Sequence, residues 1–340
     1  MRFWRHECRS CFFALPPPEL TQSPFFPQTF HPPGEISVNS NLYQAFASND
    51  SINSGRRIST DVRRMKKDSL WLTIHADASN GLHNFSPALL AELRGIIDGL
   101  AKTGGAWGSA GHAVDIGYLV VKSSDPEYFS VGGDLRHFRT CITEKLRKTL
   151  HAYSTQSFEL LFDWSNLLKD RMTSISLVQG RALGGGFEMA LSADYIVAEE
   201  QSTFGFPEIM FGLFPCTGAM ALLSRRIGVV KAERMMTSNN IYTARELFAM
   251  GLIDEICPQG SGERAVEDYI ARHASRQKSY LKVQQSRIRT APIDYIEGLQ
   301  VVEDWVELAM NLSNEEKRAL DMLIMMQEGG RQPRSELKAA

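Results

Sequence analysis

A glycine turn between two short apolar runs constrains the fold of this chain more than any other feature. Three consecutive glycines, Gly184 to Gly186, follow a strand-like run at 175–178 and open an apolar helix, and a second strand-like run follows at 195–198. Short apolar runs bounded by glycine or polar residues are typical of buried strands. Strands and helices alternate in this way from about 70 to 256, a pattern that favours an α/β domain.

Composition divides the chain into three parts. Residues 1–60 are rich in Pro, Ser and Asn, and such a segment buries too little apolar surface to offset its chain entropy, so we expect a disordered leader there. The predicted α/β core spans 65–258, and a helical region is predicted over 259–330. The clearest helix is expected between a capping Ser86 and a terminating Gly104.

Charge and cysteine content argue against several classes of protein. A net charge of -2 gives no general signal for binding nucleic acid or a membrane, and no apolar run approaches the ~20 residues of a membrane helix. The apolar run from Cys11 to Leu15 is too short for a secretory signal. Scattered cysteines suit a reducing compartment, so a cytoplasmic protein is expected.

Sequence motifs for metals and cofactors are weak in this chain. The Cys8–Cys11 pair beside His6 has no second ligand pair, so no metal site is predicted. The glycine patterns of dinucleotide-binding folds and of P-loops do not occur where they would be needed, and we therefore predict no cofactor.

Positive charge is concentrated in the helical segment 136–171, close to the Gly132–Gly133 loop. We expect an ordinary solvated helix face there, and a contact with a phosphate group is the alternative. The basic residues concerned are Arg136, Arg139, Lys145, Arg147 and Lys148.

The glycine turn also has a chemical consequence. Backbone amides at a helix N-terminus lack partners within the helix and lie at the positive end of its dipole. Glycines at 184–186 would let a ligand approach those amides closely, and the Gly132–Gly133 loop could offer another amide. Two amides directed at one carbonyl oxygen form an oxyanion hole, which suits an acyl thioester passing through an enolate or tetrahedral state.

Two glutamates lie in apolar surroundings beside this turn. Glu188 falls in the first turn of the helix, and Glu208 lies between Pro207 and Ile209 among aromatic residues. Burial would raise their pKa values and suit them to acid–base chemistry. Two structural interpretations compete with catalysis, namely a helix-dipole charge for Glu188 and a buried ion pair with an arginine for Glu208. Together with the glycines, the two glutamates favour catalysis.

Several segments in combination resemble the enoyl-CoA hydratase (crotonase) family. The segment 130–135 resembles the first oxyanion segment of that family, and 242–254 resembles its later helix–strand unit. The main signature lies in GRALGGGFE at 180–188, ADYIVA at 193–198 and FGFPEI at 204–209. The resemblance covers roughly 68–330 and implies a crotonase fold, a spiral of ββα repeats, assembled as a homotrimer or a dimer of trimers.

Finer features resemble one branch of the family, the diffusible signal factor synthases. These features are 174–180, 196–200, Leu213-Phe214-Pro215 and the long 136–171 segment. The resemblance implies dehydration of a 3-hydroxyacyl-ACP and then thioester hydrolysis, releasing a cis-2-unsaturated fatty acid as a quorum-sensing signal. An enoyl-CoA hydratase or isomerase of fatty-acid metabolism is the alternative enzyme, and an interaction protein that keeps the crotonase fold is the non-enzymatic alternative.

The resemblance assigns roles to individual residues. Oxyanion amides are expected at Gly133 and Gly185, and the catalytic carboxylates at Glu188 and Glu208, with the order of the two glutamates open. Further substrate contacts are expected from Gly132, Gly184, Phe187, Met189, Phe206, Met210, Phe211 and Met220. The implied partners are an acyl-ACP or acyl-CoA thioester and, as in the synthase branch, a membrane sensor kinase. Acyl chain length stays open.

Overall fold

The computed structural model describes residues 56–108 and 112–329. Most of the predicted leader 1–60 and the Cys8–Cys11 pair lie outside these residues. Strands in the described part are β1 (Ile58–Arg63), β2 (Asp68–Ile74), β3 (Asn84–Phe85), β4 (Ala106–Trp107), β5 (Val114–Ser123), β6 (Tyr128–Ser130), β7 (Gly132–Gly133), β8 (Thr173–Val178), β9 (Arg181–Leu183), β10 (Tyr195–Glu199), β11 (Thr203–Gly205), β12 (Ile241–Thr243) and β13 (Glu255–Cys257).

Helices follow or separate these strands and then form the C-terminal part of the described chain. They are α1 (Pro87–Thr103), α2 (Leu135–Thr143), α3 (Arg147–Asn166), α4 (Gly185–Leu191), α5 (Ala219–Ile227), α6 (Val229–Thr237), α7 (Ala244–Met250), α8 (Gly262–His273), α9 (Gln277–Thr290), α10 (Tyr295–Met310) and α11 (Asn314–Gly329). Two 3-10 helices lie at Pro207–Phe211 and Ala274–Arg276.

A large sheet forms the centre of the fold. Its strand order is β1-β2-β5-β8-β10-β13, with β4 paired to β5. Within this order, β2, β5, β8, β10 and β13 run parallel to one another. Strand β1 pairs with β2 in the antiparallel sense. Every residue of β8, Thr173 to Val178, is buried, as expected for a parallel strand covered on both faces.

A smaller sheet lies beside the first, in the order β12-β11-β9-β6. The chain alternates between the two sheets, because β5, β8 and β10 of the large sheet are each followed by a strand of the small sheet and then by a helix. This alternation confirms the predicted ββα repeats. The turns between β9 and α4 and after β11 carry the residues singled out in the sequence.

Local capping signals set several helix ends as predicted. The Ser86 side chain accepts a hydrogen bond from the backbone N–H of Leu89, and Gly104 ends α1 with φ of 64°. Thr243 and Glu246 form a reciprocal capping box at α7. These bonds satisfy backbone groups that lack partners within the helix, so short-range sequence is enough to place them.

One boundary differs from that expected. Strand β1 begins at Ile58, inside the predicted leader and before the predicted start of the core at 65. The segment 136–171 is helical as expected and forms two helices, α2 and α3, separated by a turn in which Lys145 has φ of 56°. A left-handed residue cannot continue a right-handed helix, so α2 and α3 remain separate.

Four of the five basic residues of this segment are exposed, as expected for a solvated helix face. Arg136 pairs with Glu328, and Arg139 Nε lies 2.6 Å from Asp321 Oδ1, both acceptors lying on α11. Arg147 pairs with Glu303 on α10. Three of the five predicted cations therefore tie α2 and α3 to the C-terminal helices. None of the helices described over 56–108 and 112–329 has the length and apolar character to cross a membrane.

Candidate active site

Glu188 lies in the first turn of α4, directly after the glycine turn. Gly184 precedes the helix with φ of 51° and ψ of -127°, a conformation that is open to glycine and strained for other residues. Glu188 is 2% exposed. Its Oε1 accepts hydrogen bonds from the amides of Thr217 at 2.8 Å and Ala219 at 3.0 Å. These two donors stabilise the ionised carboxylate.

Glu208 lies on the 3-10 helix that follows β11, and its side chain reaches the glycine turn that precedes Glu188. An added Cβ on Gly184 would overlap Glu208 Oε1, so this carboxylate packs directly on the glycine turn. Its other oxygen, Oε2, is buried and has no hydrogen-bond partner among the described residues. The arginine ion pair considered from the sequence is therefore not what holds Glu208 within the described part of the chain.

The two glutamates differ in protonation because their surroundings differ. Burial, followed by the charge of Glu188, raises the pKa of Glu208 to about 8. Although part of the Glu208 residue is exposed, its Oε2 is shielded from water, which agrees with the raised pKa. Burial also raises the pKa of Glu188, but the donors at Thr217 and Ala219 oppose that effect. When the pair holds one proton, the geometry thus favours the charge on Glu188 and the proton on Glu208.

The two predicted oxyanion segments are adjacent in the structure. An added Cβ on Gly132 would lie 3.3 Å from the Gly185 amide nitrogen, and one on Gly185 would lie 3.6 Å from the Gly133 amide nitrogen. Gly185 is the first residue of α4, where an amide has no acceptor within the helix. Gly132 has φ of 96° and packs against Leu183, so a side chain at this position would push the two segments apart.

These groups line one partly enclosed cavity, in which the space open to water-sized groups is about 60 Å³. Gly133, Gly185, Glu188 and Glu208 all line it. Its remaining lining is mainly apolar and consists of Phe85, Leu90, Phe138, Tyr153, Ser154, Ser157, Leu160, Leu161, Phe214, Cys216, Thr217 and Trp305. A polar end and an apolar body suit a ligand with a reactive head and an acyl chain.

The expected apolar lining needs correction. Phe187, Met189, Phe206 and Phe211 are almost fully buried in the core and are not among the residues that line the cavity. Met210 and Met220 lie at the surface, with 56% and 39% exposure. Gly132 and Gly184 support the lining from behind rather than forming it. Proximity in sequence to the glutamates did not predict these orientations, because the cavity opens toward α1, α3 and α10 instead.

Sequence reasoning missed several lining residues, of which Tyr153 is the most informative. Its buried hydroxyl donates to the Phe85 carbonyl oxygen and accepts from the Asp134 amide at 3.3 Å. Phe85 pairs with Gly133 between β3 and β7, and Asp134 directly follows Gly133. Tyr153 therefore links the two strands that carry one of the proposed oxyanion amides. A polar aromatic residue in a buried helix was the signal available in the sequence.

No group of three His, Cys, Asp or Glu side chains within the described ranges is arranged to hold a metal ion. The two carboxylates, Gly133, Gly185, Cys216 and Thr217 all line the same cavity.

Curated relatives share part of this chain. It is 36% identical over 145 residues to a probable mitochondrial enoyl-CoA hydratase from Dictyostelium discoideum, covering 42% of this chain and 48% of that protein. It is 27% identical over 223 residues to the fatty acid oxidation complex subunit alpha of Pseudomonas savastanoi pv. phaseolicola, covering 65% of this chain and 29% of that protein. The chain thus spans half or less of the length of these relatives.

Solved structures share the fold. An enoyl-CoA hydratase from Bacillus halodurans superposes with a TM-score of 0.62 at 21% identity, over 78% of this chain and 100% of that one. Pseudomonas aeruginosa DspI superposes with a TM-score of 0.52 at 24% identity, over 81% and 98% of the two chains. These values confirm the predicted α/β crotonase fold with its C-terminal helical region.

A sequence model of one family, enoyl-CoA hydratase/isomerase, matches residues 113–294. This match includes the segments that hold Gly133, Gly185, Glu188 and Glu208. With the ββα repeats and the shared fold, it establishes that the chain belongs to the enoyl-CoA hydratase/isomerase family of the crotonase superfamily.

Proposed function

We propose that the protein acts on acyl thioesters, dehydrating a 3-hydroxyacyl-ACP and then hydrolysing the thioester to release a cis-2-unsaturated fatty acid that serves as a quorum-sensing signal. The observation that carries this proposal is the pair of unlike carboxylates at the polar end of an apolar cavity. Glu188 accepts two amide hydrogen bonds, whereas Glu208 has a buried oxygen without a partner in the part of the chain that the structure describes. Such a pair supplies a base and an acid at once.

The first step is an elimination. The thioester carbonyl oxygen accepts hydrogen bonds from the Gly133 and Gly185 amides, which stabilise the enolate that forms. Ionised Glu188 takes the proton from C2, and protonated Glu208 gives its proton to the 3-hydroxyl, which leaves as water. A double bond forms between C2 and C3. Glu188 is then protonated and Glu208 is ionised, so the two groups have exchanged their states.

The second step uses these exchanged states. Ionised Glu208 takes a proton from a water molecule while the oxygen of that water adds to the acyl carbonyl carbon. The same amides stabilise the tetrahedral oxyanion. When the carbon–sulfur bond breaks, protonated Glu188 gives its proton to the departing thiolate. The products are the free enoic acid and the carrier thiol. Both glutamates have returned to their starting states, which allows one site to perform both reactions.

Two features support the synthase chemistry over simple hydration. Phe214, from the Leu213-Phe214-Pro215 segment typical of the synthase branch, lines the cavity. The α2–α3 segment, longer than the usual hydratase connection, also contributes lining residues, among them Phe138 and Tyr153. Chain segments that mark the synthase branch therefore surround the proposed acyl site.

The second candidate function is hydration of a 2-enoyl-CoA in fatty-acid metabolism. The same carboxylates catalyse this reaction when the first step runs in reverse and no thioester cleavage follows. Its support is the family itself, since the Dictyostelium relative carries the name of a hydratase over the matched 145 residues.

Product analysis separates the two candidates. Purified protein is incubated with 3-hydroxyacyl-ACP substrates of several chain lengths and, separately, with crotonyl-CoA, and the products are identified by mass spectrometry. We expect a free cis-2-enoic acid from the ACP substrates, and its loss in Glu188→Gln and Glu208→Gln. Hydration of crotonyl-CoA without any thioester cleavage would refute the synthase proposal and favour the hydratase.

The wider setting of the enzyme belongs to the same proposal. We propose a cytoplasmic homotrimer or dimer of trimers that can be held in check by a membrane sensor kinase. Exposed methionines on α11, namely Met322, Met325 and Met326, offer an apolar face suited to subunit contacts. Light scattering of the purified protein tests the assembly, and a monomer at micromolar concentration would contradict it.

A further inference from the structure

A second, smaller cavity lies at the other end of α4 from Gly185. The space within it that is open to a water-sized group is about 20 Å³. Its lining comes from α3, the end of α4, α5 and α9, and consists of Ser165, Leu191, Ser192, Ala193, Asp194, Leu222, Arg225, Arg226, Arg287 and Ile288. None of these residues lines the cavity that holds the two glutamates.

The charges around this second cavity do not balance. Arg226 Nη1 lies 3.0 Å from Asp254 Oδ2, and Lys169 Nζ lies 2.8 Å from Asp194 Oδ2. Asp194 Oδ1 also lies 3.4 Å from Arg287 Nη2. With Arg225, four cationic side chains share two carboxylates, which leaves an excess of positive charge in a partly enclosed space.

Arg225 forms no direct ion pair within the described ranges, although the charge of Asp194 acts on it. Its Nε donates to the Ala291 carbonyl oxygen, but its Nη2 is buried and has no hydrogen-bond partner within the described ranges. Burial and the neighbouring charge of Arg287 lower the pKa of Arg225 to about 10. A buried guanidinium N–H without an acceptor is costly, so the arrangement is one that an added acceptor would stabilise.

Asp194 already accepts hydrogen bonds from several other donors. Its Oδ2 already accepts from the Ser174 amide and hydroxyl, each at 2.9 Å, in addition to Lys169. Those bonds hold its carboxylate on the side of the cavity toward β8. Arg225 and Arg287 both line the cavity, and Asp194 is the one carboxylate among its lining residues.

We propose that this second cavity is a binding site for a small oxoanion such as inorganic phosphate or sulfate, held by Arg225 and Arg287. The planar guanidinium fork matches the oxygens of such anions. The Arg287 side chain is 38% exposed, which gives the anion a path from solvent. The bound anion would join α5 to α9. Since α5 begins at Ala219, whose amide holds Glu188, the site lies behind an element that positions the base.

Binding is tested directly, without reference to activity. Isothermal titration of the full-length protein with inorganic phosphate, at ionic strength held constant with chloride, is expected to show saturable binding. Thermal melts should show a Tm that rises with phosphate concentration, because a ligand that binds only the folded state stabilises it. Acetate, a singly charged carboxylate, is expected to bind at least tenfold more weakly than phosphate.

Two site variants and one matched control complete the test. Arg225→Lys keeps the charge but removes the fork, and Arg287→Gln removes the more exposed donor; each should weaken phosphate binding at least tenfold. Arg289→Gln, at an exposed position on the same α9 helix, should bind like the unaltered protein. Unchanged phosphate affinity in both folded site variants, or no response beyond that to chloride, would overturn the proposal.

Discussion

At the scale of single residues, the site depends on a difference between two carboxylates of the same type. Glu188 receives amide donors from Thr217 and Ala219, whereas Glu208 packs on Gly184 and leaves a shielded oxygen unpaired. Hydrogen bonds favour the ionised form, and burial without them favours the neutral form. In the proposed mechanism, the surroundings of each glutamate therefore decide which one acts as the base and which one as the acid.

The pH dependence of turnover should reflect this assignment. We expect kcat/KM for a 3-hydroxyacyl thioester to fall as pH rises through about 8, because Glu208 with its raised pKa loses the proton that the leaving hydroxyl needs. On the acid side the rate should fall as Glu188 becomes protonated. The two apparent pKa values of this pH–rate profile belong to the interacting pair of glutamates. Steady-state rates from pH 5 to 10 test this, and a rate that is flat between pH 7 and 9.5 would remove Glu208 as the acid.

The stability of the protein should also depend on pH through Glu208. Because the pKa of Glu208 is raised to about 8 in the folded state, the folded protein binds the proton more tightly than the unfolded chain does. The contribution of Glu208 to the free energy of unfolding is therefore fully present below the ordinary carboxyl pKa. It is lost as pH rises toward 8. The loss amounts to at most about 5 kcal/mol.

Glu208→Gln should remove this dependence, since the amide stays neutral. We expect the variant to gain stability relative to the unaltered protein between pH 5 and 8.5, measured by urea unfolding at each pH. Glu315→Gln, which changes an exposed glutamate on α11, provides the control and should show no such trend. A constant difference across the range would contradict the raised pKa.

At the scale of elements, local signals and long-range packing differ in what the sequence reveals. Ser86 and Gly104 bound α1 as predicted, because a cap depends on residues within one turn. The glycine turn and Glu188 were likewise predictable from a short segment. Tyr153 and Trp305 were not, since their place in the cavity depends on how α3 and α10 pack onto strands far away in the chain.

Tyr153 illustrates how a distant element positions the reacting groups. Its hydroxyl bridges Phe85 and Asp134 on either side of the Gly133 segment. Tyr153→Phe removes the bridge while leaving the ring, so we expect kcat to fall roughly 10- to 100-fold through a misplaced amide. KM should change little. Tyr195→Phe, which loses a hydroxyl bonded to Glu255, is the matched control. Equal kcat values in both variants would argue against a positioning role.

At the scale of the whole molecule, the C-terminal helices complete the cavity instead of forming a separate appendage. Trp305 of α10 is 2% exposed, lines the cavity and packs edge-on against Phe138 of α2 with ring centroids 5.1 Å apart. The ion pair of Arg139 with Asp321 connects α2 to α11. If the cavity binds an acyl chain as proposed, the length that fits depends on how this C-terminal region docks onto the α/β core.

Replacing Trp305 by a smaller residue should change the range of substrates. Trp305→Ala is expected to destabilise the fold by about 3–5 kcal/mol, as for large-to-small core changes, and to shift preference toward longer acyl chains because the cavity gains depth. Trp305→Leu should do the same to a smaller extent and keeps the test valid if the alanine variant unfolds. Competition between 3-hydroxyacyl-ACP substrates of different lengths, with products counted by mass spectrometry, measures the preference.

The control for this change is Val306→Ala, at a fully buried position on the same helix that does not line the cavity. It should lower stability without altering the chain-length preference, since it creates space elsewhere in the core. A folded Trp305 variant with an unchanged preference would show that α10 only supports the core. A preference that shifts in the Trp305 variants and stays constant in Val306→Ala would instead tie substrate choice to the docking of the C-terminal helices.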